Sequence, residues 1–121
     1  MVNKKATNIY TRSENNKLNK IRNEKYDKLF DAILALKTRK ECYDFFEDIC
    51  TFKEVDAMSV RLEAAKLLME NNTYDDILQS IDISSATLSR VSKCMKYGPG
   101  GYRTILERLA EKEKSDKGKE E

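Results

Sequence analysis

The stretch from Lys53 to Glu70 carries apolar residues on two sides of one helix, and this restricts the fold more than any other feature. Val55, Met58, Leu62, Ala65 and Met69 recur at helical spacing, while Val60, Ala64 and Leu67 project nearly opposite. A surface helix needs one apolar stripe; a helix apolar on two sides must be covered from two directions. With both chain ends too polar to pack, about ninety residues remain to supply that cover, and small domains bury a limited share of their surface. Two architectures satisfy the pattern. In the favoured one a second copy of the chain covers one side; in the other this helix is the centre of a monomeric bundle.

The flanking segments are helical too. Tyr26, Leu29, Phe30, Ile33 and Leu34 form one amphipathic stripe, and Cys42, Phe45, Phe46, Ile49 and Cys50 form another after a break near "KTRK". Thr73 is a good N-cap for a short helix with Tyr74, Ile77, Leu78 and Ile81 inward, and Asp76 stands where a capping box places acid. Ser84 caps the next helix, which runs to Tyr97 and stops at Gly98-Pro99. Tyr102, Ile105, Leu106, Leu109 and Ala110 make the last one. No strand pattern or internal repeat is visible, so the expected fold is all-α with six helices. Residues 1–22 read as a flexible basic arm, 23–110 as the helical domain and 111–121 as a charged flexible tail.

Composition removes several function classes. There is no histidine, so Ser-His-Asp and Cys-His catalysis are excluded. The three cysteines, Cys42, Cys50 and Cys94, lack CxxC spacing, and reduced thiols are expected instead of disulfides or a zinc site. No phosphate-binding glycine loop occurs, and no enzyme, cofactor or metal is expected. The first residues lack an apolar signal core and no apolar run is long enough to span a bilayer, so the expected location is the cytoplasm.

Charge supplies the positive signal. The chain holds 23 Lys and Arg against 21 Asp and Glu, a net charge of +2, yet no acid occurs between Asp82 and Glu107. On the helix Ser85–Tyr97, Leu88, Val91 and Met95 turn inward while Ala86, Ser89, Arg90, Lys93 and Tyr97 turn outward. A short capped helix, a turn at Asp82-Ile83-Ser84 and a second helix with such a face describe a helix-turn-helix. Small outer residues let the helix enter a major groove, and cations reach phosphates that acid would repel. The same face also suits a solvated helix of an ordinary bundle, and charge and spacing alone leave both open.

The segment "VRLEAAKLLMENNTYDDILQSIDISSATLSRVSKCMKYG" resembles the Trp repressor superfamily, most closely its YerC/YecD branch, through "RLEAAKLL", "NTY" and "SATLSRV". The resemblance runs from about residue 24 to residue 110. It implies an intertwined helical homodimer that binds double-stranded DNA at a near-palindromic operator and represses transcription. On the helix-turn-helix reading the residues expected to meet DNA are Thr73, Ser85, Ala86, Thr87, Ser89, Arg90, Lys93 and Lys96. The arginines that contact tryptophan in the Trp repressor proper match Arg61 and Arg90, but Val91 replaces its glycine and Cys94 its serine. Overfilling a packed site costs about 1–3 kcal/mol, so a tryptophan co-repressor is not expected. Its DNA-contacting arginine matches Asp75, which implies a different operator. Two alternatives stay open: a repressor gated by another small ligand near Arg61 and Arg90, and a helical protein-interaction module of a transcription complex.

Overall fold

A computed structural model describes residues 23–120, with side chains to Lys117; the basic arm expected over 1–22 lies outside the described residues. Six helices follow one another: α1 (Glu24–Leu34), α2 (Arg39–Ile49), α3 (Phe52–Met69), α4 (Tyr74–Ser80), α5 (Ser85–Tyr97) and α6 (Gly101–Glu120). The described residues contain no strand, as the periodicities require. The chain divides into two compact units, one up to Asp56 and one from Ala57.

In the first unit, local side-chain caps set the helix starts. Asn23 accepts the Tyr26 N–H at 3.1 Å to open α1, and Thr38 accepts the Glu41 N–H at 3.1 Å to open α2. At α3 the cap is reciprocal: the Glu54 N–H donates to Thr51 Oγ1 at 3.1 Å and the Thr51 N–H donates back to Glu54 Oε1 at 2.8 Å. That capping box satisfies two amide donors that a helix N-terminus otherwise leaves unpaired. Neither α1 nor α2 contains a buried residue, so their apolar stripes remain accessible in the single chain. Leu34 is 81% exposed and Phe52 83%.

The second unit holds the core. Ala64 and Ala65 of α3, Ile77 of α4, Leu88 and Val91 of α5, and Leu106 of α6 form one buried cluster. Leu67, Leu68, Met69, Leu78, Ile81, Ile83, Met95 and Tyr102 pack partly buried around it. α3 ends in a tight reversal: the Asn72 N–H reaches Leu67 O and the Asn71 N–H reaches Leu68 O, each at 3.1 Å. This pair of bonds defines a Schellman cap, which needs one residue in the left-handed region. Asn71, at φ 67°, supplies it. Asn tolerates that conformation better than other side-chain-bearing residues do. The Asn72 side chain also donates to Leu67 O, at 3.0 Å, which doubles the hold on the end of α3.

One boundary departs from expectation. α6 continues to Glu120, whereas the sequence pattern ends the last helix at Ala110 and assigns a flexible tail from 111. The apolar stripe does stop there, but residues 111–117 are mostly Glu and Lys, which are strong helix formers. Glu113 and Lys117 stand four apart with the acid first, the favourable order for a helix. A polar helix built on propensity projects from the core, and it needs no burial to persist for these turns.

Candidate nucleic-acid interface

The second unit carries the pair α4 and α5, and short-range forces set the turn between them. α4 opens at Thr73, whose Oγ1 accepts the Asp76 N–H at 3.1 Å, with Asp75 and Asp76 at the positive end of the helix dipole. It closes at Ile81, whose N–H donates to Ile77 O at 3.1 Å. Ile81 and Ile83 are half-buried against the core and pin the turn from both sides of Asp82. Ser84 then caps α5: its Oγ accepts the Thr87 N–H at 3.1 Å and donates to Thr87 Oγ1 at 2.9 Å. Three residues separate the last helical position of α4 from that cap.

α5 has two unlike faces. Leu88 is fully buried and Val91 is 2% exposed, with Ser92 buried beside them. Ser85, Ala86, Ser89, Arg90, Lys93, Cys94, Lys96 and Tyr97 are exposed. No acid stands in the first turn of α5, and Lys96 lies in its last turn, where a cation suits the negative end of the helix dipole. The exposed face thus offers small side chains toward its N-terminal half and cations further along. An extended polyanion with a groove fits such a face: small groups approach base edges while cations reach phosphates.

The helix then stops abruptly. The Gly98 N–H donates to Cys94 O at 2.8 Å, and a Cβ on Gly98 would lie 2.4 Å from that same oxygen. Only glycine allows so close an approach. Gly100, at φ +92°, takes the left-handed region and starts α6.

The residues assigned to the interface fall as follows. Ser85, Ala86, Ser89, Arg90, Lys93 and Lys96 share α5 and are exposed. Thr73 is exposed at the cap of α4, so its hydroxyl is engaged with its own helix. Thr87 is half-buried, with its hydroxyl oxygen accepting from Ser84. Of the four residues matched to a ligand pocket, Arg61 is half-buried, Arg90 and Cys94 are exposed, and Val91 belongs to the core cluster. An apolar groove lies elsewhere. It occupies about 590 Å³ in the first unit, where Tyr43, Phe46, Cys50, Phe52 and Val55 line it. Cys42, Cys50 and Cys94 are free thiols. Among the described residues no helix is long and apolar enough to cross a membrane, and no group of three metal-ligating side chains is assembled.

Six helices with a capped helix-turn-helix on one unit define the class: an all-α helix-turn-helix protein. The chain belongs to the Trp repressor protein family, whose sequence profile matches residues 24–110. It is 42% identical over 102 residues to the uncharacterised protein YerC of Bacillus subtilis (strain 168), covering 84% of this chain and 98% of that one. Two solved structures share the fold. A candidate Trp repressor from Staphylococcus aureus superposes with a TM-score of 0.75 at 42% identity, over 78% of this chain and 94% of the other. A TrpR-like protein from Eubacterium eligens ATCC 27750 gives 0.73 at 47% identity, over 76% and 95%.

Proposed function

We propose that this chain is a homodimeric, sequence-specific DNA-binding regulator, a transcriptional repressor of the cytoplasm that works without a tryptophan co-repressor. One observation carries this: the exposed face of α5 presents Ser85, Ala86, Ser89, Arg90, Lys93 and Lys96 with no acid among them, above a buried Leu88 and Val91. α5 is the recognition helix. Ser85, Ala86 and Ser89, near its N-terminus, take base edges; an alanine methyl suits the thymine methyl and a serine hydroxyl suits any base edge. Arg90, Lys93 and Lys96 take phosphates, and the Thr73 and Thr87 hydroxyls turn their protons toward the same backbone. Two-fold symmetry makes the operator near-palindromic, with half-sites about one helical turn apart.

Salt dependence tests the reading. Binding to a random duplex and to a selected operator should both weaken steeply as salt rises, because each neutralised phosphate releases counterions. Lys93→Ala should weaken both alike and flatten the log–log slope by about 1.8 per dimer, two contacts at about 0.9 each. Substituting Ser89 or Ala86 should instead change which operator is preferred. A second reading, a helical module that binds protein, draws on the apolar groove of the first unit. It requires no duplex affinity at any salt concentration, and that outcome would replace the first.

A further inference from the structure

We propose that Tyr97 is a DNA backbone contact at the far end of the recognition helix, its phenolic hydroxyl donating to a phosphate oxygen at the rim of the major groove. This rests on the DNA-binding reading of α5 and adds a residue that the charge pattern does not select. Tyr97 is 81% exposed, the most accessible large apolar side chain of the second unit. Among the described residues it makes no hydrogen bond and no ring contact. Packing within the chain therefore gives no reason for a tyrosine there.

Helical geometry puts it in the right place. Tyr97 follows Ala86 by eleven positions (97 − 86), which is three turns plus roughly 20°, so the two share a face. Lys93, one turn earlier, stands on the same side. Eleven positions also rise about 16 Å along the axis, whereas the major groove is about 12 Å wide. With Ala86 at the base edges, Tyr97 has passed the groove floor and meets the sugar-phosphate ridge. Tyrosine is among the side chains that donate to phosphate oxygens. Gly100 and Gly101, three and four positions further on, carry no side chain.

Tyr97→Phe isolates the contact, since it deletes only the hydroxyl and leaves an exposed ring. With full-length protein, affinity should be measured for the selected operator and for a random duplex over a range of salt. Both should weaken by the same factor, roughly three- to tenfold per half-site, as expected for one hydrogen bond. The salt slope should not change, because a neutral donor displaces no counterion; this separates Tyr97 from Lys93. A variant that binds both duplexes as tightly as wild type, or loses affinity for the operator alone, overturns the contact while leaving the DNA-binding reading intact. A wild-type chain with no salt-dependent binding to either duplex overturns both.

Discussion

In the proposed function, Val91 is the residue that keeps a tryptophan co-repressor out. It is 2% exposed and belongs to the cluster formed with Ala64, Ala65, Ile77, Leu88 and Leu106. A β-branched side chain has few rotamers, so on that reading it does not swing aside to admit an indole. Half-buried Arg61 and exposed Arg90 can still attract a carboxylate, but solvent screening weakens that attraction, and on the proposed reading it does not offset a steric overlap in the core. Millimolar tryptophan should leave the melting temperature unchanged. A ligand at a hundred times its dissociation constant adds about 2.7 kcal/mol, and for a domain of this size each kcal/mol moves Tm by roughly 4–8 °C. Calorimetry with and without tryptophan decides the point, and a rise of several degrees would show that α5 moves to open a pocket.

The elements depend on their caps, and α5 most of all because its first turn carries the residues proposed to face bases. Ser84 satisfies the Thr87 N–H and orients the Thr87 hydroxyl. Ser84→Ala should cost about 1 kcal/mol of stability, read as a lower Tm. It should also reduce discrimination between operator and random duplex, since Ser85 and Ala86 are the positions a frayed first turn loses. Equal discrimination in mutant and wild type would mean that the turn is held by its packing alone. Helix positions were legible because capping and periodicity act over three or four residues. Thr73 and Ser84 stand as caps in both sequence and structure. The Thr51–Glu54 box is equally local, a Thr followed three residues later by Glu, and it opens α3 ahead of the two-sided apolar pattern. The end of α6 was not legible in the same way. A polar run reads as tail when an apolar stripe is the criterion, although propensity alone can extend a helix that is already nucleated.

For the whole molecule, the balance between buried and accessible apolar surface is the main physical fact. Among the described residues six apolar side chains are buried, while thirteen large ones, including Val55, Met58 and Leu62 on α3, are at least 36% exposed. Accessible apolar side chains of this kind are what a partner could cover. The dimer of the proposed function would cover them. Sedimentation at low micromolar concentration should give a species near twice the 14.0 kDa chain mass. Leu62→Asp should lower both assembly and folding, because it would place an unpaired charge in the interface. A folded, cooperative monomer of wild type under those conditions would contradict the dimer.

The sequence by itself determined the helices, the Thr73 and Ser84 caps and the two faces of α5. Each follows from contacts within one turn, and the 3.6-residue period then assigns every side chain a direction. The tertiary structure decided which apolar residues are buried. On α3 it chose Ala64 and Ala65 over the larger Val55, Met58 and Leu62. It also placed Ser92, a polar residue, beside Leu88 and Val91, and drew Thr87 half out of solvent. Burial depends on what distant segments bring to a face, and hydrophobicity along one helix cannot say which part of an apolar stripe its own chain will cover.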